Sequence, residues 1–261
     1  MFWGDSISSI FGNKWQNAFI ARTGAIYYGQ DARPGRAWGS MLEGYGAYCP
    51  LASLGSLGAF NANTDTNHTP QCSFPTGGVI GNYGTYTVPV TGQTLAQTLA
   101  NVDLLVIVLG TNDASTSFGP IGNITDCYTA GTEYASMNFA LDAVYTAKPT
   151  IKVVIVTPYF FGNGADITGA NATASDGSGS TLVYTQGTTN SLAAAAKIQA
   201  LVNAEIAVGN ARGIPVLNML SNGNINALNI GKQTRDSIHP TDLYMNTVMG
   251  PLAAQFSIQR F

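Results

Sequence analysis

The stretch from Asp103 to Gly110, "DLLVIVLG", is an unbroken aliphatic run closed by glycine. A strand with one wet face alternates apolar and polar residues, and this one does not, so both of its faces are expected to be buried, as in a parallel sheet covered by helices. Two later segments read the same way: Lys152 to Pro158, "KVVIVTP", and Ile214 to Asn218, "IPVLN". Each follows a helical pattern, over about 93–100, 132–147 and 191–208. Alternating helix and strand of this kind predicts an α/β domain, a parallel sheet between two layers of helices.

Working outward, the N-terminal "MFWGDSIS" (1–8) reads as a short buried strand ending at Ser6. Ile10, Phe11, Trp15, Ala18 and Phe19 then recur at helical spacing and stop before Gly24. "AIYYG" (25–29) is expected to be the second strand, "DARPGRAWGSMLEGYG" (31–46) a loop entering a helix near Arg36, and 242–256 a closing helix. Residues 49–92, rich in Gly, Asn, Thr and Pro, form an irregular insertion with too few apolar side chains for a core of their own, and 160–190 is a second long loop. The whole chain, 1–261, is read as one domain. The brevity of the segment before Ser6 suggests a piece of a longer polypeptide.

Charged residues make up only 10% of the chain and the net charge is -3, with no cluster of Lys or Arg. That leaves no electrostatic footprint for nucleic acid or an anionic membrane, and favours neutral polar partners such as sugars. No aliphatic run approaches the length needed to cross a bilayer, and no signal peptide is visible. The low charge suits an extracellular, secreted or virion-associated setting. The cysteines, Cys49, Cys72 and Cys127, are odd in number, so at most one pair can form, Cys49 with Cys72 or none.

Ligands of open parallel sheets sit beyond the carboxyl ends of the strands. Ser6, Gly35, Asn112, Tyr159 to Phe161 and the segment "DSIHP" (236–240) all fall there. A serine becomes a nucleophile only when a base takes its proton. The chain has two histidines. His68 lies in the turn-rich "NTDTNHTPQC", where a solvated histidine is expected. His239 lies three residues after Asp236, close enough for that carboxylate to hold Nδ1–H and leave Nε2 free for the serine proton. The other reading makes Asp236 the cap of the final helix and His239 an ordinary loop residue. Oxyanion donors are sought in the Ser6 N–H at a helix start, the Gly35 N–H and the Asn112 amide.

Together "GDSI" (4–7), a glycine after the second strand, "GTND" (110–113) and "DSIHP" resemble blocks I, II, III and V of the SGNH hydrolase superfamily, the GDSL-type esterases and lipases. The similarity spans positions 4 to 240, with Ile7 in place of the usual leucine and Gly39 as an alternative to Gly35 in block II. The resemblance implies a flavodoxin-like, three-layer α/β/α fold with a five-stranded parallel sheet. It also implies ester hydrolysis through an acyl-serine intermediate with no metal or other cofactor. Ser6, Asp236 and His239 would form the triad, and Ser6, Gly35 and Asn112 the oxyanion hole.

Substrate contacts are expected from Asp5, Trp38, Tyr159, Phe160 and Ile238, with the two long loops walling the site. Many neutral hydrogen-bonding groups and no broad apolar helix suit a carbohydrate, and the resemblance, to a superfamily in which several subfamilies remove acetyl groups from polysaccharides, implies an O-acetylated one. A short-chain lipase or arylesterase is the alternative within the class. A carbohydrate-binding module without turnover is the alternative outside it.

Overall fold

The computed structural model describes residues 1–9, 14–32, 37–38, 95–115, 120–126, 132–162, 167–168, 183–184 and 189–261. In chain order its elements begin with β1 (Phe2–Gly4), α1 (Ser6–Ser9), α2 (Lys14–Thr23), β2 (Gln30–Ala32), α3 (Leu95–Leu99) and β3 (Leu104–Val108). They continue with α4 (Thr111–Ser115), α5 (Glu133–Ala147), β4 (Lys152–Val156), β5 (Ile167–Thr168), β6 (Val183–Tyr184), α6 (Thr189–Arg212) and β7 (Val216–Leu217). The last are α7 (Met219–Asn222), α8 (Ile230–Gln233), α9 (Asp242–Tyr244), a π-helical turn (Met245–Met249) and α10 (Gly250–Ile258).

The expected five-stranded parallel sheet is present, in the order β2-β1-β3-β4-β7. Strand order reverses between β1 and β3, so the crevice at their carboxyl ends is the topological switch point, where folds of this class bind their ligands. The aliphatic runs are buried as their composition requires: Leu105 to Val108 and Val153 to Val156 are inaccessible or nearly so. Helices cover both faces of the sheet. One group packs α2 against α10 and the π-helical turn, and the other packs α5 against α3 and α6. Phe2 locks β1 to the first group, edge-on to Trp15 and Phe19 at 4.9 and 5.5 Å between ring centroids.

Several boundaries differ from the sequence expectation, each for a physical reason. Strand two is Gln30–Ala32, not "AIYYG". Its ladder is set by the three residues of β1, Phe2 pairing with Gln30, and Ile26 upstream is 93% exposed. The closing helix is interrupted, because Pro251 has no N–H to give to the carbonyl four residues back; the π-helical turn immediately precedes it. A Cβ on Gly250 would lie 2.4 Å from the Trp15 carbonyl oxygen, so α10 and α2 pass in close contact there. The 160–190 loop is not wholly irregular: β5 and β6 pair antiparallel within it. The 49–92 insertion, the helix expected near Arg36, His68 and all three cysteines lie outside the described residues. Among those described, no helix is long and apolar enough to cross a membrane.

Candidate active site

The site begins where β1 becomes α1. Gly4 ends the strand against Ser8, whose Oγ would lie 2.3 Å from any Cβ placed there. The Asp5 carboxylate then accepts the Ile7 N–H at 2.9 Å while its carbonyl accepts the Ser8 N–H at 3.2 Å. This side-chain turn swings the chain from strand into helix and leaves Ser6 at the crest of the β1–β3 crevice.

The facing loop is closed on itself. Thr234 bridges Pro240, the Arg235 N–H donates to the His239 carbonyl at 2.8 Å, and the Thr241 N–H donates to the Gln233 carbonyl at 2.9 Å. Asp236 Oδ1 accepts the backbone N–H groups of Ile238 and His239 at 3.0 and 2.7 Å. Ser237, between Asp236 and Ile238, adopts φ +73°, a left-handed conformation that non-glycine residues seldom occupy. This turn aims Asp236 Oδ2 at His239 Nδ1, 2.6 Å away. On the other side of the ring His239 Nε2 stands 2.8 Å from Ser6 Oγ. Residues 233 positions apart in sequence thereby form one hydrogen-bonded series of carboxylate, imidazole and hydroxyl.

Two contacts tie this loop to the strand β4 side. The Tyr159 hydroxyl donates to the Ile238 carbonyl at 2.5 Å, and the Gly162 N–H donates to the Ser237 carbonyl at 3.0 Å. The cap of the following helix is Thr241, which accepts the Tyr244 N–H at 3.1 Å, so the reading of Asp236 as a helix cap is set aside. Arg235 binds the Asp242 carboxylate and steadies the far end of the loop.

Electrostatics separate the carboxyl groups by role. Burial pushes Asp236 up, but the bonds it accepts from the His239 ring and from the His239 and Ile238 N–H groups outweigh this and hold it below the ordinary aspartate value. It therefore stays an acceptor beside the imidazole. Asp5, fully buried, is pushed up to about 7 by burial, against the opposing pull of the Ile7 N–H and of His239.

Asn112 sits on α4 at the end of β3, half-buried, with the turn before it built on Gly110 at φ +103°. A Cβ on Gly110 would meet the Pro158 ring at 2.7 Å and the Glu205 carboxyl at 2.8 Å, so only glycine fits. Gly35 lies outside the described residues. Of the five expected substrate contacts, Phe160 and Ile238 are partly open to solvent. Asp5, Trp38 and Tyr159 are exposed by 0, 0 and 1%, and this corrects the expectation. Their side chains are spent on the turn into α1, on the buried Glu205 carboxyl and on the Ile238 carbonyl, and they support the site from beneath. Sequence reasoning missed the anchoring role of Tyr159 and the buried Glu205, whose only signal is an acid set in the alanine-rich helix α6. Among the described residues no group of three or more His, Cys, Asp or Glu side chains is placed to hold a metal ion.

No protein-family model and no curated protein matches the sequence. Solved structures match its fold. A protein from Lactobacillus plantarum superposes with a TM-score of 0.58 at 15% identity, over 100% of this chain and 96% of that one. The lipase/acylhydrolase from Enterococcus faecalis gives 0.52 at 15% identity, over 99% and 94%. The aryl esterase of M. smegmatis gives 0.50 at 15% identity, over 100% and 98%. At such identities the likeness is one of fold.

Proposed function

We propose that this chain, which has the fold of the SGNH hydrolases, is a serine esterase. The observation that carries the reading is the unbroken series Asp236 Oδ2, His239 Nδ1, His239 Nε2, Ser6 Oγ, with separations of 2.6 and 2.8 Å at its two hydrogen bonds. In the proposed reaction Ser6 Oγ attacks the ester carbonyl carbon while His239 Nε2 takes the hydroxyl proton. Asp236 fixes the tautomer that makes this transfer productive and stabilises the imidazolium formed. The imidazolium then protonates the leaving alcohol, and water repeats the sequence on the acyl-serine to release the acid. The Ser6 N–H, the first of α1 and so without a partner within its helix, the Asn112 amide and the Gly35 N–H are the proposed oxyanion donors.

For substrate we favour a small acyl group, O-acetyl, on a carbohydrate. Two features of the sequence support it: a chain only 10% charged, and long stretches over 49–92 and 160–190 rich in Gly, Asn, Ser and Thr and so in neutral hydrogen-bonding groups. Acetate release from acetylated oligosaccharides, run beside p-nitrophenyl esters of rising acyl length, tests both levels of the proposal. Ser6→Ala is expected to lower kcat by at least ~10³ on every substrate cleaved. Hydrolysis unaffected by that substitution would end the esterase reading, and a preference for long acyl chains would end the carbohydrate one.

A further inference from the structure

Outside the triad, the structure buries a second set of polar groups behind the switch point, which the proposed reaction does not use. Trp38, in the loop after β2, is completely inaccessible, and both of its N–H groups are held by acids from other parts of the chain. Its backbone N–H donates to Asp113 Oδ2 at 2.9 Å, and its indole Nε1–H donates to Glu205 Oε1 at 2.7 Å. Asp113 is on α4, next to Asn112, and Glu205 is in the middle of α6. Glu205 is itself 0% exposed and lies directly under Gly110, where the turn from β3 into α4 begins. The separations in sequence are 75 and 167 residues, so these bonds are tertiary ties between elements that share no local structure.

A buried carboxyl group is costly, and a helix of this composition could have placed an alanine or leucine at the position. What Glu205 supplies instead is a directional acceptor for one indole proton. Burial holds the Glu205 carboxyl well above the ordinary value, with the Trp38 bond opposing the effect and the nearby Asp113 adding to it. An acceptor held in a fixed position, out of reach of solvent, fits a bracing part.

We infer that Glu205 and Trp38 are positioning residues, a buried clamp that sets the distance between the loop after β2 and the Gly110–Asp113 turn that carries Asn112. The inference rests on the esterase reading, because what the clamp positions is one wall of the proposed oxyanion site. Oxyanion donors must sit within a few tenths of an ångström of the developing charge, and a side-chain clamp crossing three elements holds that geometry better than a loop alone.

The test compares Glu205→Leu, Trp38→Phe and Glu205→Gln with the wild type on p-nitrophenyl acetate. Ile155→Val, a truncation in the sheet interior, serves as the stability control. Leu and Phe remove the acceptor or the donor, whereas Gln keeps an acceptor oxygen in place. The clamp predicts that Glu205→Leu and Trp38→Phe lose about 10- to 100-fold in kcat with KM within about threefold, and that Glu205→Gln restores kcat to within about threefold of wild type. The chain has three tryptophans, so the indole N–H region of its NMR spectrum is simple to read. Trp3 Nε1 and Trp15 Nε1 have no hydrogen-bond partner, so the Trp38 proton, identified by its loss in Trp38→Phe, should be the downfield and exchange-protected one. It should move in Glu205→Leu and stay in Glu205→Gln.

An active wild type whose kcat is unchanged in Glu205→Leu, or is lost to the same extent in Glu205→Gln, overturns the clamp and leaves the esterase reading standing. A shift of the Trp38 proton in Glu205→Leu with full kcat would make the bond structural only, and would also overturn the inference. A wild type without Ser6-dependent hydrolysis overturns both.

Discussion

Replacing Asp236 by Asn isolates what the carboxylate does. Oδ1 accepts two backbone N–H groups, from Ile238 at 3.0 Å and His239 at 2.7 Å, and these two bonds shape the loop. An asparagine is held to the same orientation, because only its carbonyl oxygen can accept them. Its NH₂ then faces His239 Nδ1 across the 2.6 Å gap now filled by Oδ2, and two donors cannot share that space. The ring responds by carrying its proton on Nε2, so that the atom 2.8 Å from Ser6 Oγ can no longer accept. The change in fold is small: the Asp236 side chain is 40% exposed, so solvent screens the lost charge, and stability should fall by about 1 kcal/mol or less. The change in rate is large, on the order of 10³ to 10⁴ in kcat, the scale seen when a triad histidine is left in the wrong tautomer. Steady-state hydrolysis of p-nitrophenyl acetate, with thermal melts of both proteins, measures the two effects together. Loss of less than tenfold in kcat in a folded Asp236→Asn protein would refute the argument that this carboxylate fixes the tautomer.

Two further predictions concern stability. Ser237 holds φ +73°, which a β-branched side chain tolerates poorly, so Ser237→Val should lower unfolding free energy by ~1–2 kcal/mol in urea titration and reduce kcat as the Asp236–His239 turn loosens; an unchanged midpoint would show that the turn is not strained. Asp5 is pushed up to about 7 by burial, so the folded chain binds its proton more tightly than the unfolded chain does. The sign follows: its stabilising effect is full below about pH 4 and is lost as pH rises toward 7, at up to ~1.4 kcal/mol per pH unit. Asp5→Asn keeps an acceptor for the Ile7 N–H and should flatten the fall in melting temperature over that interval; a parallel curve would place the titrating group elsewhere.

Both pairings of the triad, the local Asp236–His239 and the long-range His239–Ser6, were accessible to sequence reasoning only as candidates. The Asp236–His239 spacing allows the carboxylate to reach Nδ1, yet the same spacing also suits a helix cap; the competition is decided by Thr241, which occupies the cap in the folded chain. Tyr159 reads from its aromatic neighbours as a substrate platform, but its ring is buried and its hydroxyl serves the Ile238 carbonyl. Trp38 reads likewise and is turned inward by two acids distant in sequence. Exposure of an aromatic ring depends on what packs over it, and no local pattern records that.

The sequence by itself determined the sheet, since runs such as Leu104 to Leu109 can be satisfied only by burial on both faces, and with the sheet came the edge at which folds of this class bind their ligands. It also determined which hydroxyl and which imidazole to consider, because nucleophile and base chemistry admits few residue types and this chain has few histidines. Only the tertiary structure decided that Nε2 of one meets Oγ of the other at 2.8 Å, that β2 begins at Gln30, and that Glu205 lies beneath the Gly110 turn. Those outcomes depend on how separate elements pack and share hydrogen bonds, which is a property of the folded whole and is absent from any one segment.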